Sequence, residues 1–304
     1  MNEHSLIGAR RLVLAVVSLG LFGCDDPLSQ VEAIDKTRVV AAKVEVGGDP
    51  TRAAPLPGED VTVRFLVIAP NPTPDLAYAL TACVAADSAV DLTTCAGEPL
   101  ATAASLSPGS DAPSIVFPAP ADATGDERLA VLGGVCPDGV ALPDAAATRC
   151  ADGSAVLGTT LDFSMDDGAH PNTNPALTSF RFDGAELGPG SAATTDCAEL
   201  PSVRSGSPKH RLNVDVDPSS RDPIARASSS DPARESLLVS YFVTRGDMDH
   251  AWSAIDADAS SNTTGSLWSA PTVTAPALAR FVVVVRDGRG GSDFLERRVC
   301  IQPD

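Results

Sequence analysis

The chain has 304 residues, with 22 Lys and Arg against 40 Asp and Glu and a net charge of −18 at pH 7. So acidic a body repels polyanions, and no stretch concentrates the Lys and Arg that would displace counterions from phosphates, so DNA and RNA are excluded as partners. Pro and Gly together supply 49 residues, which favours short elements joined by turns over long helices.

The chain opens on Arg10-Arg11, a short apolar run from Leu12, and then Leu21-Phe22-Gly23-Cys24. As a helix, Leu12 to Gly23 would span only about 18 Å, too short for the roughly 30 Å hydrocarbon core of a bilayer. These residues resemble the signal peptide and cleavage site of a bacterial lipoprotein precursor. The resemblance implies removal of residues 1–23, a diacylglycerol on the thiol of Cys24, and acylation of the new amino group, commonly with palmitate. The alternative is an ordinary secretory signal with a coincidental cysteine. Removal takes away Glu3, Arg10 and Arg11 and leaves a charge of −19. Residues 24–36 then read as a lipidated tether. Asp25 and Asp26 bear on membrane sorting in some lineages, so both the outer membrane and the periplasmic face of the inner membrane remain open.

Beyond the tether the pattern has period two. Val40, Ala42, Val44 and Val46 alternate with Ala41, Lys43 and Glu45, and Val61, Val63, Phe65 and Val67 with Thr62, Arg64 and Leu66. Such alternation predicts half-buried strands near 37–47, 59–69, 76–84, 114–118, 128–136 and 155–165, with a further short edge strand near 98–106. The run from Asp166 to Pro175, with two prolines and a polar stretch, reads as a boundary. A second set follows near 179–182, 210–217, 236–243, 251–255, 266–269, 280–286 and 293–301. The expected architecture is all-β: two tandem immunoglobulin-like antiparallel sandwiches, over 37–170 and 171–304.

With Cys24 assigned to lipid, six cysteines remain in an exported chain, and spacing favours one pairing among fifteen. Cys83 with Cys95 and Cys136 with Cys150 each close a short turn-rich segment, which leaves Cys197 with Cys300. Zinc is the rival use, but no CxxC occurs and no histidine lies near any pair.

Near the C-terminus stand Leu267-Trp268-Ser269-Ala270-Pro271, then Phe281 to Val285 followed by Arg286-Asp287-Gly288-Arg289-Gly290-Gly291, then Leu295 to Val299. This order resembles the end of bacterial immunoglobulin-like and PKD-like modules. The resemblance implies a central strand buried on both faces, a glycine-rich hairpin and a closing strand. Pro57-Gly58-Glu59-Asp60-Val61-Thr62-Val63 resembles the same class more weakly. With its lipobox, two sandwiches, paired cysteines and 19 Arg against 3 Lys, the chain resembles envelope lipoproteins of GC-rich Gram-negative bacteria.

Catalytic motifs are missing: there is no GxSxG, SxxK or HExxH, and His170, His210 and His250 stand forty residues apart. No enzyme activity and no cofactor are expected. Two acidic clusters invite calcium, Asp247, Asp249, Asp256 and Asp258 in the second half and Asp162, Asp166 and Asp167 at the boundary, but solvated acidic loops are the preferred reading. Arg245-Gly246-Asp247 spells the tripeptide that integrins read, and a turn after a strand already explains its glycine. Of the scarce aromatics, Trp268 and Tyr241 fall within predicted strands and read as core, which leaves Trp252 and Tyr78 as thin material for a sugar platform. The expected function is therefore a non-enzymatic, lipid-anchored envelope protein that binds or scaffolds an envelope protein or polysaccharide. A carbohydrate-binding or surface-adhesion lipoprotein, stiffened by calcium, is the alternative.

Overall fold

Alternation decides the first sandwich. In β1 (Arg38–Val46) and β2 (Asp60–Ile68), Val44, Val46, Val61, Val63 and Phe65 point inward and are buried, while Lys43, Glu45, Thr62 and Arg64 point outward. Each such side chain removed from water contributes on the order of 1.5–3 kcal/mol. The computed structural model describes residues 31–304 except 71–74, 87–92, 110, 124–126, 167, 169–170 and 225–232. Cys24 and the apolar segment before it therefore lie outside the described residues.

The remaining strands of this half are β3 (Leu76–Ala85), β4 (Cys95–Gly109), β5 (Ser114–Pro118), β6 (Arg128–Cys136) and β7 (Leu157–Ser164). Sheets ordered β1-β2-β5 and β4-β3-β6-β7 enclose a core that includes Leu80, Phe117, Leu129, Val131 and Phe163. The edge strand expected near 98–106 is longer than its sequence suggests. It has 15 residues and two register shifts against β3. Its Ala, Ser, Thr and Pro hide the period, because an edge strand exposed over most of its length needs few large apolar residues.

The second half contributes β8 (Leu177–Phe182), β9 (Ala185–Glu186), β10 (Ser202–Arg204), β11 (His210–Val216), β12 (Pro223–Ile224), β13 (Ala233–Arg234), β14 (Leu237–Val243), β15 (Asp247–Met248), β16 (Trp252–Ile255), β17 (Thr263–Ser269), β18 (Ala277–Arg286) and β19 (Ser292–Gln302). Five-stranded sheets ordered β10-β19-β18-β14-β16 and β15-β17-β11-β8-β9 face each other, and β12 and β13 form a separate ribbon. Trp268, Tyr241, Phe180 and Phe281 fill the core between the two sheets. The two-residue strands and the three-residue β10 escaped the sequence reading because so few residues carry no measurable period. Among the described residues the numbered strands pair antiparallel except β10 beside β19, which lies next to the Cys197–Cys300 disulfide.

The apolar run Phe281–Val285 is buried on both faces, and the first sandwich covers its second face. Val282 and Val284 pack against Ile34, Ala41 and Ile68. Around this patch run polar ties: Lys43 pairs with Asp293 at 3.0 Å, Ser292 Oγ donates to the Ala42 carbonyl at 2.6 Å, and Arg286 donates to the Val40 carbonyl. Gly290 sets the approach of the two halves. At φ +110° it lies where a Cβ would stand 2.3 Å from the Cβ of Phe163.

Within the run from Asp166 to Pro175, read as a polar boundary, Asn172 to Asn174 are stitched into the seam. The Asn174 amide donates to the carbonyls of Val44, Pro50 and Arg52 at 2.6, 3.0 and 3.2 Å, and its oxygen accepts from Ser292 N–H at 2.9 Å. Residues 31–34, at the end of the segment read as a tether, add a short parallel pairing to β14. Ile34 N–H donates to the Val243 carbonyl at 2.8 Å and Val243 N–H to that of Glu32 at 2.9 Å, while the Ile34 side chain is buried.

Candidate functional site

The seam opens on one flank into a cleft of about 600 Å³, floored by Ile34, Pro70 and Leu278 and rimmed by Arg245, Arg280 and Arg298. Three elements deliver the arginines: the turn after β14 and the seam-facing sides of β18 and β19. Arg280 is buried, donates to the Ala69 carbonyl at 2.5 Å and stands 4.0 Å from Glu296, and burial pushes its pKa down. Arg298 is held by Glu296 at 2.9 Å and by the Thr194 carbonyl at 3.1 Å. The exposed Arg245 side chain has no hydrogen-bond partner among the described residues. Three guanidinium groups around one opening, set against the Asp35 and Glu296 carboxylates, leave a local positive surplus on a strongly negative molecule, suited to a carboxylate or phosphate oxygen. A second cleft of about 420 Å³ lies between β1, β7 and the β18–β19 hairpin.

Beneath the seam sits a buried carboxylate cluster. Arg289 bridges Asp222 at 2.7 Å and Glu235 at 3.0 Å, and Asp222 N–H donates to Glu235 Oε1 at 3.1 Å. Glu235 is 1% exposed. Burial, reinforced by the Asp287 carboxylate, pushes its pKa up to about 7 against the opposing pull of Arg289. Asp287 is also raised by burial, although the N–H groups of Arg289 and Gly291 donate to it. No sequence motif announces this cluster, since its members come from three separate segments.

No family model and no curated protein matches this chain. Among solved structures it is similar to trypsin-activated alpha-2-macroglobulin from Escherichia coli, at 8% identity and a TM-score of 0.27, over 86% of this chain and 18% of that one. It is also similar to Salmonella alpha-2-macroglobulin reacted with methylamine, at 12% identity and a TM-score of 0.25, over 89% of this chain and 15% of that one. The chain thus spans less than a fifth of the length of either.

Of the residues singled out in the sequence, the six cysteines pair as spacing suggested. Cys83–Cys95, Cys136–Cys150 and Cys197–Cys300 have Cα separations of 5.6, 5.7 and 5.2 Å. Three disulfides mark an oxidising compartment outside the cytoplasm. Among the described residues no helix is long and apolar enough to cross a membrane.

The aspartates considered for calcium do not converge. Asp249 pairs with Lys209, Asp247 is exposed on β15, and the Asp256 carbonyl accepts from buried Arg221 at 2.8 Å. Asp258 lies in the following turn, and no three acidic, His or Cys side chains group as a metal site among the described residues. At the boundary, Asp162 pairs with Arg128, Asp166 Oδ1 accepts from Gly168 N–H, and Asp167 lies outside the described residues.

In Arg245-Gly246-Asp247 the glycine has a packing duty. It sits at φ +82° over Trp268, where a Cβ would stand 2.5 Å from the indole nitrogen, and that nitrogen donates to the Arg245 carbonyl at 2.9 Å. Trp268 and Tyr241 are core, as expected, while Trp252 is 61% exposed on edge strand β16. His170 lies outside the described residues, and the His250 N–H donates to Ser266 Oγ at 3.2 Å. His210 touches Asp183 and Ser207, a grouping no motif flagged. Asp183-Gly184 between two alternating stretches was its local signal, because that dipeptide marks a tight hairpin.

Proposed function

We propose that this chain is a bacterial envelope lipoprotein, held to the membrane through lipid on Cys24, that binds or scaffolds an envelope protein or polysaccharide at the seam of its two sandwiches. The observation that carries the binding surface is the arginine-rimmed cleft. It gathers Arg245, Arg280 and Arg298 on a body whose net charge is −18, so an anionic group on the partner is drawn to one place and repelled elsewhere. The anchor reading rests on the lipobox residues and agrees with the disulfides. Ile34 follows Cys24 by ten positions, a reach of at most about 36 Å, so lipidation would keep the cleft close to the bilayer. Trp252, exposed on an edge strand, supports the alternative of carbohydrate binding or adhesion, in which a sugar stacks on the indole.

The test combines fractionation with crosslinking in cells. Cys24→Ser is expected to move the protein from membrane to soluble fraction, and a mutant retained equally at the membrane defeats the anchor. Arg245→Ala with Arg298→Ala is expected to remove the crosslinked partner while leaving the anchor intact. A partner retained by that variant but lost with Trp252→Ala supports the adhesion alternative instead.

A further inference from the structure

At the end of the second sandwich, Ser207, His210 and Asp183 stand in hydrogen-bonded series. Ser207 Oγ lies 2.6 Å from His210 Nε2, and His210 Nδ1 lies 2.6 Å from Asp183 Oδ2. The three residues come from two loops that strand pairing brings together. Asp183 and Gly184 form the two-residue turn closing the β8–β9 hairpin, both with positive φ, at 50° and 84°. Pairing of β8 with β11 sets that turn beside the start of β11, where Asp183 N–H donates to the Arg211 carbonyl at 2.9 Å. His210 opens β11, and Ser207 lies three residues before it in the preceding turn.

Each member is held in one orientation. Asp183 Oδ1 accepts from Arg211 N–H at 2.8 Å, which leaves Oδ2 for the imidazole. The hydrogen bonds from His210 and Arg211 keep the Asp183 carboxyl below the usual carboxylate range although burial opposes them. The His210 ring stacks on Phe182 at 5.0 Å and leans on Trp268 at 5.7 Å, both core residues that cannot swing aside. An ionised carboxylate at Nδ1 requires the proton on that nitrogen, so Nε2 presents its lone pair to the serine hydroxyl. A nucleophile touching a base that a third group orients is the signature of activated serine chemistry, recognised by geometry and not by chain order. In the same turn, the N–H groups of Gly206 and Lys209 have no hydrogen-bond partner among the described residues.

The geometry points to Ser207 as a reactive nucleophile that accepts an acyl group from a carboxylic ester, with His210 as its base and Asp183 as the residue that positions His210. In the first step Ser207 Oγ bonds to the ester carbonyl carbon and passes its proton to His210 Nε2. The carbon–alkoxide bond then breaks, and His210 returns the proton to the leaving alkoxide. In the second step water attacks the acyl-serine, His210 takes the proton from water and returns it to Ser207 Oγ, and the carboxylic acid leaves. Neither seam cleft is lined by Ser207 or His210, and Ser207 is half-buried in a surface turn. The ester must therefore arrive on an exposed chain, as an O-acyl substituent projecting from a polymer. This inference goes beyond the binding reading and does not depend on lipidation of Cys24.

The test exposes the full chain to a fluorophosphonate, whose phosphorus takes the Ser207 oxygen as fluoride leaves, and maps the adduct by mass spectrometry. The expected result is an adduct on Ser207 formed at least about 100-fold faster than on Ser219, an exposed serine bonded to Asp217. Ser207→Ala removes it, and His210→Gln slows it by a similar factor. Asp183→Asn tests positioning, since Asn tolerates the positive φ but presents an N–H to His210 and reverses its tautomer. It is expected to slow labelling and abolish the downfield proton resonance of the His210 Nδ1–H, with the melting temperature unchanged. Labelling of Ser207 no faster than Ser219, or indifferent to His210→Gln in a folded variant, overturns the proposal.

Discussion

Glu235→Gln is expected to make the protein more stable at alkaline pH and to leave it unchanged in acid. In the fold the Glu235 carboxyl titrates near 7 because it is buried, whereas in the unfolded chain it titrates near its ordinary 4.5. Between these values the folded protein keeps a proton that the unfolded chain has released, so this group lowers stability as pH rises from 4.5 through 7. Below 4.5 both states are protonated and the penalty is absent; above 7 both are ionised and it is complete. At about 1.4 kcal/mol per pH unit, the full penalty is about 3 kcal/mol.

Glutamine carries no charge at any of these pH values and can still accept from Asp222 N–H, while Arg289 retains its 2.7 Å contact with Asp222. The difference in unfolding free energy between variant and wild type should grow from near zero at pH 4 to about 3 kcal/mol at pH 8. For a chain of this size that amounts to a rise in melting temperature of about 6 to 12 °C at pH 8. Urea unfolding at half-unit pH intervals measures the difference directly. A constant offset across pH, or a variant less stable than wild type at pH 8, refutes the assignment of a raised pKa to this buried carboxyl.

Asn174→Ala should lower stability by roughly 3 kcal/mol in denaturant unfolding, because it withdraws four hydrogen bonds from the seam, two of them buried, those to the Val44 carbonyl and from the Ser292 N–H. Gly246→Ala should cost roughly 2 to 4 kcal/mol, since the added carbon meets the Ser269 carbonyl oxygen at 2.3 Å in a left-handed turn. Equal stability of the alanine protein by thermal melting would show that the packing of Gly246 over Trp268 is slack. Calcium at 1 mM should shift the melting temperature by less than about 2 °C, whereas a 10 μM site on the folded state would add about 2.7 kcal/mol. A larger shift, lost in Asp247→Asn with Asp249→Asn and not reproduced by magnesium, would revive the calcium reading.

Wherever a strand has one wet face and one dry face, its position was legible from residue order. Val61, Val63, Phe65 and Val67 fix β2 this way, and Leu212, Val214 and Val216 fix β11, because a period of two has one solution on a pleated surface. The long edge strand β4 was under-read for the complementary reason, since its core-facing residues Leu100, Ala101 and Ala103 are mostly small and only half-buried. The disulfide pairs were legible because two of them close short turn-rich segments and the third follows from them.

By itself the sequence determined an all-β chain, two sandwiches and three cross-links, since each depends on local periodicity or short spacing. Only the tertiary structure decided the rest. The second face of Phe281–Val285 is dry because another sandwich lies on it, and Asn174 is a hub because carbonyls from Val44 to Arg52 reach it across more than a hundred residues. Arg245, Arg280 and Arg298 rim one opening, and Asp183 meets His210, only after strand pairing has closed. Burial, charge proximity and hydrogen-bond direction are properties of points in space, and distant segments acquire them together only when the core that joins them has formed.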